Sequence, residues 1–517
     1  MIAKAQNMPL DKVRVLQRSL YRAAKANPTR KFGVLYDKVC RDDVLRTAYR
    51  QVKANGGAPG IDQQTFEIIE KEIGIDVFLR DIKERLVRKR YKPLPVRRVY
   101  IPKTDGTQRP LGIPVITDRV VQAAVKIVIE PLFEASFKDF SYGFRPRTDA
   151  HKALREVYKW LNFGCHWVVD ADLKSYFDSI PHDRLMLSVR SKVIDRSVVK
   201  LIEMWLKAGV MEEMQVRKET TGTPQGGVIS PLLANLYLHW LDNYWERKGF
   251  GERKHDAHIV RYADDFVILC SRQPDFYLAE AKKVLDRLGL TLNAKKTRVV
   301  NVKEETFDFL GHRFAVRPSK RTGAVKTYYY PRPKAMKAVK SKIREVVRTG
   351  QHWDLPELIR ERINPILRGW GNYFKAGNSR MHFKSIANYT TYTLCIMLRK
   401  KHKKRSKGGG TTRRPGFTTI TGCLSSTASR QSLTVRAGMA ALHRRKVAGR
   451  RQSESRVREN CTHGLTRGRW GDHFKPVAYS TKLYMKVIKP APELLTVRYR
   501  RRRLWQQMGV QSNKMSR

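Results

Sequence analysis

The sequence predicts an α+β protein with a basic, helical second half, and three observations carry that prediction. Between residues 165 and 315, short apolar strand-like runs alternate with amphipathic helical ones. From Pro331 the apolar residues recur at helical spacing among lysines and arginines. Beyond Lys400 the texture changes again, with 29 basic and 4 acidic residues from Lys401 to Arg517. The 517 residues carry 104 Lys+Arg against 47 Asp+Glu, a formal net charge of +57. Such self-repulsion calls for a polyanion, and nucleic acid is the partner that fits. Apolar residues make up 41% of the chain, enough for several folded domains. No run approaches the ~18 uncharged apolar residues of a membrane span, and the first residues lack the apolar core of a signal peptide. The six cysteines (40, 165, 270, 395, 423 and 461) stand singly, with no pair at metal-ligand spacing. They read as reduced thiols of a cytoplasmic protein, with no zinc site.

Taken in order, residues 1 to about 50 should be helical, because Val13, Leu16, Leu20 and Ala24 recur at helical spacing. The Gly/Pro-rich loop from Asn55 should end at a helix cap near Asp62. Val77, Leu79, Ile82 and Leu86 predict a helix over Asp76 to Arg88. Residues 97–114 read as a hairpin turning at Asp105-Gly106, with Lys103 and Arg109 on opposite strands. Cations so placed can grip a triphosphate, although two exposed basic residues are the simpler reading of that segment alone. Asp118 should cap a helix running to Pro131. The loop Ser141-Tyr142-Gly143-Phe144-Arg145-Pro146 suits stacking on a nucleic acid, and equally an ordinary loop.

The middle of the chain is more informative. A strand over Trp167–Leu173 puts Trp167, Val169, Ala171 and Leu173 on one apolar face, and Asp170 and Asp172 on the other. Asp172 stands where the strand ends and Tyr176-Phe177 begins, the best place among the local acids for a metal ligand. Thr221 to Pro231 is a glycine-rich loop opening a strongly apolar helix, without the Gly-Lys-Ser/Thr of an ATPase phosphate loop. His258 to Cys270 reads as two apolar strands joined at Ala263-Asp264-Asp265. Alone this is a polar turn; with a third carboxylate nearby, the adjacent acids call for a cation. Leu290–Thr297 and Phe307–Phe314 each look like a short strand. Met336, Val339, Ile343 and Val346 then stripe a basic helix, and Asp354 should cap another that continues into Gly369-Trp370-Gly371-Asn372-Tyr373-Phe374. Residues 407–458 contain one aromatic, Phe417, and are expected to order poorly without a partner.

The ordered set resembles a reverse transcriptase: Asp172 followed by Phe177-Asp178, Pro224-Gln225-Gly226, Tyr262-Ala263-Asp264-Asp265, Lys296-Thr297 and Leu310-Gly311. Further wording is similar to the group II intron-encoded reverse transcriptase/maturase family. It comprises Gly60-Ile61-Asp62, Ile101-Pro102-Lys103, Arg109-Pro110-Leu111-Gly112-Ile113-Pro114, Ser141 to Pro146 and Gln225 to Pro231. The resemblance spans roughly residues 45–400. Ser230-Pro231 departs from the Ser-Gln of diversity-generating relatives.

The resemblance implies a right-hand polymerase fold. Residues 1–165 would be an N-terminal extension and fingers, and 166–315 a palm with interleaved fingers elements. Residues 316–405 would be a helical thumb/maturase domain, and 406–517 a basic, partly disordered, candidate DNA-binding region. It further implies that Asp172, Asp264 and Asp265, helped by the Leu173 carbonyl, hold two Mg²⁺ ions. Phe177 would exclude a 2′-hydroxyl, Lys103 and Arg109 would hold the triphosphate, Gln225 the nucleotide, and Lys296 would assist the leaving group. The implied partners are group II intron RNA, an RNA template with a DNA primer, deoxynucleoside triphosphates and target DNA, at a nucleoid-associated cytoplasmic location. A splicing-only maturase and a reverse transcriptase recruited to defence or repair are the alternatives; the unbroken aspartate set weighs against the first. Without paired cysteines, no endonuclease domain is expected.

Overall fold

The computed structural model describes residues 11–401, apart from 103–107, 213–214, 218–225, 253 and 320. Lys103, Gln225 and the whole basic C-terminal region therefore lie outside the described residues. The N-terminal third is helical around one deeply buried element, the helix Ile116–Glu134, whose residues are apolar nearly all round. Helices Lys12–Ala26 and Asp42–Asn55 pack on it. Asp118 does not cap this helix. It lies inside the first turn, 2% exposed, accepting hydrogen bonds from the Tyr91 hydroxyl (2.6 Å) and the Leu94 amide (3.0 Å). The helix also runs past Pro131 to Glu134. Asp62 likewise caps no helix: its carboxylate accepts from Gln64 N, and Thr65 caps the turn at Phe66.

Eleven described strands form three sheets. The hairpin of β1 (Val96–Pro102) and β2 (Gln108–Ile113) pairs Pro102 with Gln108 across residues 103–107. It is extended by β4 (Val210–Glu212) and β5 (Gln215–Arg217), giving the order β2-β1-β4-β5. The second sheet, in the order β6-β7-β3-β8, comprises β3 (Trp167–Ala171), β6 (Ala257–Tyr262), β7 (Asp265–Cys270) and β8 (Arg298–Asn301). One face of it, including Val169, Ala171, Ile259 and Ile268, packs into the main core with the helices Ser230–Arg247 and Pro274–Arg287. The other, including Val168, Val260, Val267 and Val300, packs with the helix Ala150–Asn162. Burial on both faces is why these strands read as near-continuous apolar runs.

The third sheet holds β9 (Phe307–Phe309), β10 (His312–Pro318) and β11 (Val325–Pro331). Phe307–Phe314 is thus not one strand. Leu310 and Gly311 both adopt positive φ (45° and 76°) and turn the chain between β9 and β10. The 315/316 boundary falls inside β10. After β11 the helices Pro333–Thr349, Asn364–Phe374 and Arg380–Lys401 enclose a separate apolar cluster around Ile343, Ile363, Trp370 and Ile386. No helix among the described residues is long and apolar enough to cross a membrane.

Candidate active site

Antiparallel pairing of β3 with β7 puts Ala171 opposite Phe266, so the next step of that register brings Asp172 opposite Asp265. Pairing of Tyr262 with Asp265 closes the β6–β7 hairpin around Ala263-Asp264, with Ala263 at φ 60°. The three expected acids therefore converge at one end of the sheet. Asp265 is solvent-exposed. Even so, desolvation by the surrounding protein, then the charges of Asp264, Asp172 and Asp170, push its carboxyl up to about 7, against the pull of Arg332. A like-charge cluster of this kind is a poor arrangement without cations, and carboxylate oxygens are the hard donors that Mg²⁺ takes. The donor set therefore fits such an ion.

Asp170, close enough to act on Asp265 by its charge, has a partner of its own. It lies beside Arg298 on β8 and pairs with it at 3.4 Å. Burial raises its carboxyl to about 6, with Arg298 opposing. Asp172, by contrast, is gripped by the segment after the helix Pro274–Arg287. Its carbonyl accepts from Asn293 N (2.8 Å), and its Oδ2 accepts from Asn293 Nδ2 (3.1 Å) and faces Lys296 Nζ at 3.3 Å. These bonds explain why Leu290–Thr297 is not a strand: only Leu292 bridges to Leu173, and regular pairing starts at Arg298. Lys296 thus stands at the acidic cluster.

Leu173 buries its side chain in the main core. Tyr176 is also buried, its hydroxyl donating to the Ala234 carbonyl at 2.6 Å. Half-buried Phe177 packs edge-on against it, ring centres 5.5 Å apart, so the Phe177 ring is seated at the edge of the core. Arg109 pairs with Ile101 on the β1–β2 hairpin. The glycine-rich loop touches that hairpin closely. A Cβ on Gly226, at φ 123°, would fall 2.3 Å from the Gly112 carbonyl oxygen. Gln122 Oε1 accepts from Val228 N at 2.8 Å and steadies the loop where the helix Ser230–Arg247 begins.

The loop Ser141 to Pro146 lies behind the hairpin turn. Tyr142 N donates to the Arg261 carbonyl (2.8 Å), and a Cβ on Gly143 would fall 2.2 Å from Ala263 N. Arg145 is buried against Glu134 at 2.8 Å and so does not face a ligand. Sequence reasoning missed Asn293, Arg332, and the buried pair Arg261–Asp242. A lone Asn, and Arg or Asp within apolar elements, carry no motif of their own. At the far end of the sheet, Cys165, Asp256 and His258 form a hydrogen-bonded group, with His258 stacked on Trp160 at 3.3 Å. Burial and the Asp256 charge push the Cys165 thiol up to about 12, which keeps it protonated.

The reverse transcriptase (RNA-dependent DNA polymerase) family matches residues 101–314, which hold all three acids. The group II intron, maturase-specific domain matches residues 336–414, over the helical region and beyond. Protein YkfC of Escherichia coli strain K12 is 34% identical over 348 residues, covering 60% of this chain and 90% of that protein. The chain belongs to the group II intron reverse transcriptase/maturase family. Within that family, the group II intron-encoded protein LtrA of Lactococcus lactis subsp. cremoris is 32% identical over 361 residues, covering 57% of this chain and 59% of LtrA. A 91 kDa protein in a cob intron of Schizosaccharomyces pombe is 29% identical over 442 residues, covering 71% of this chain and 53% of that protein. The aligned part thus spans little more than half of these two larger relatives. The chain thus carries an RNA-directed DNA polymerase domain.

Proposed function

We propose that this family member copies RNA into DNA at the β3–β7 acidic cluster, and that it binds its intron RNA to assist splicing and then mobility at a DNA target. The single observation that carries the reading is the convergence of Asp172, Asp264 and Asp265 at one sheet end, with Asp265 raised to about 7 by desolvation and then by the neighbouring acidic charges. Asp172, Asp264 and Asp265, with the Leu173 carbonyl, would hold two Mg²⁺ ions. Bound there, the ions supply activation of a primer 3′-hydroxyl and neutralisation of the departing pyrophosphate.

The chain's own groups do the rest. Asn293 and Lys296 fix the orientation of the Asp172 carboxylate before substrate arrives. The Lys296 ammonium, 3.3 Å from that carboxylate, can turn to an incoming phosphate and donate a proton to the leaving group or offset its negative charge. Phe177, backed by Tyr176, presents a rigid ring to the sugar and excludes a 2′-hydroxyl. Lys103, Arg109 and Gln225 would hold the triphosphate and base. The basic helices after Pro333, with Tyr330 and His382 stacked at 5.1 Å beside Lys337 and Lys340, suit a nucleic-acid backbone with aromatic support. A net charge of +57 fits RNA and DNA partners together. A cytoplasmic, nucleoid-associated location follows from this reading.

Asp264→Ala, tested by cDNA synthesis on a primed RNA template and by filter binding of intron RNA, should lose polymerisation while RNA binding and splicing persist. Full polymerase activity in that variant would sink the site assignment.

A further inference from the structure

Behind the turn that carries Asp264 lies a set of buried polar side chains. Arg261, on β6, and Asp242, on the helix Ser230–Arg247, are both 0% exposed. The Arg261 fork donates to both Asp242 carboxylate oxygens, through Nε at 2.9 Å and through one terminal nitrogen. Its other terminal nitrogen donates to the Ala263 carbonyl and to Asn235 Oδ1, each at 3.0 Å. Asn235, 2% exposed, donates in turn from Nδ2 to the Gly143 carbonyl at 2.6 Å. Burial alone would raise Asp242, but Arg261, with His239 beside it, outweighs burial and holds the carboxyl below its usual range.

Taking a guanidinium and a carboxylate out of water is costly, and apolar side chains of equal volume serve a core at least as well. Stability therefore does not explain the pair, but its direction does. Besides its ion pair, the fork bonds, among the described residues, the Ala263 carbonyl and Asn235, which itself holds the glycine wedged under the Ala263 amide. We infer that Arg261, Asp242 and Asn235 are a positioning set that clamps the Ala263-Asp264 turn from both sides and fixes the Asp264 carboxylate where a metal ion must bind. The inference rests on the polymerase reading of Asp264. Arginine is the residue the arrangement needs, because a lysine would supply the charge without the fork that reaches three partners at once.

The test compares the wild type with Asn235→Ala and Arg261→Lys, and with Ser188→Ala as a stability control. Ser188→Ala removes a bond donated by Trp240, which shares the helix Ser230–Arg247 with Asn235 and Asp242, without touching the turn. Each protein is assayed for cDNA synthesis on a primed RNA template across a magnesium titration, for template–primer affinity, and for folded fraction by thermal unfolding. For Asn235→Ala, kcat should fall about 10- to 100-fold, as expected for an ångström-scale misplacement. Its magnesium half-saturation should rise several-fold, its template–primer affinity should hold, and excess magnesium should restore part of the rate. Arg261→Lys should show the same pattern more strongly, and Ser188→Ala should keep the wild-type magnesium dependence. A folded Asn235→Ala with wild-type kcat and magnesium dependence overturns the inference, as does a loss that merely tracks the folded fraction. A wild-type protein that makes no cDNA overturns the polymerase reading and the inference with it.

Discussion

Gly143→Ala adds one methyl group and tests how tightly the catalytic turn is seated. The new Cβ would lie 2.2 Å from Ala263 N, 2.8 Å from Tyr262 C and 3.0 Å from Ala263 Cα, all backbone atoms that no side-chain rotation can move away. Reaching an ordinary contact of 3.4 Å requires the loop and the turn to part by about 1 Å. Two anchors resist movement on the loop side: Asn235 Nδ2 on the Gly143 carbonyl, and the pairing of Tyr142 N with the Arg261 carbonyl. Much of the displacement must then fall on Ala263-Asp264, at the residue proposed as a metal ligand. A misplacement of this size costs on the order of 10²-fold in rate. Primer extension on an RNA template, with kcat and template–primer affinity measured separately, reads the effect. The expected result is a fall of that order in kcat with affinity within about twofold. A folded Gly143→Ala protein with wild-type kcat would show that the loop is not what holds the turn, and the geometric argument would fail.

Two other perturbations probe different parts of the molecule. Phe177→Ala removes a ring seated against Tyr176, and the variant should accept ribonucleotides at least about tenfold better relative to deoxynucleotides, since discrimination of one hydroxyl by shape is of that order; an unchanged ratio in competitive primer extension would remove Phe177 from the sugar site. Asp118, raised to about 6 by burial, has a folded-state pKa above its unfolded value, so its contribution to stability is present below about pH 4 and is lost as pH rises through about 6. The shift corresponds to about 3 kcal/mol across that window. Asp118→Asn should flatten that part of the stability–pH curve in chemical unfolding, and an identical slope in both proteins would contradict the buried, raised carboxyl.

What the sequence discloses and what it hides divide along a physical line. β3 and the β6–β7 hairpin are legible because burial on both faces leaves apolar runs against which the acids Asp170, Asp172, Asp264 and Asp265 stand out. Leu290–Thr297 alternates Leu290 and Leu292 as a strand would, yet Asn293 spends its amide and side chain on Asp172, 121 residues away, and a bond to so distant a partner leaves no periodic trace. Asp118 looks like a cap because acids favour helix starts, whereas Tyr91 and Leu94, distant in sequence, draw it into the core. Phe307–Phe314 hides its turn because Leu310 takes a positive φ that only its partner Gly311 advertises. Ser141 to Pro146 suggests a stacking loop by composition, but composition cannot tell a side chain aimed at solvent from one, such as Arg145, paired with Glu134 in the interior.

The same division separates the residues that would do chemistry from those that hold them. Chemistry restricts residue type: a metal takes carboxylates, so three acids at strand ends can be found by reading. Support is written in contacts instead. Arg261 and Asp242 are nineteen residues apart, one in a strand and one in a helix, and each alone would be taken for a solvated charge. Only the fold reveals that both are 0% exposed and that the bonds they anchor converge on the turn before Asp264. A substitution at such a position would pass for a surface change in the sequence, and would act on the site through an ångström of backbone.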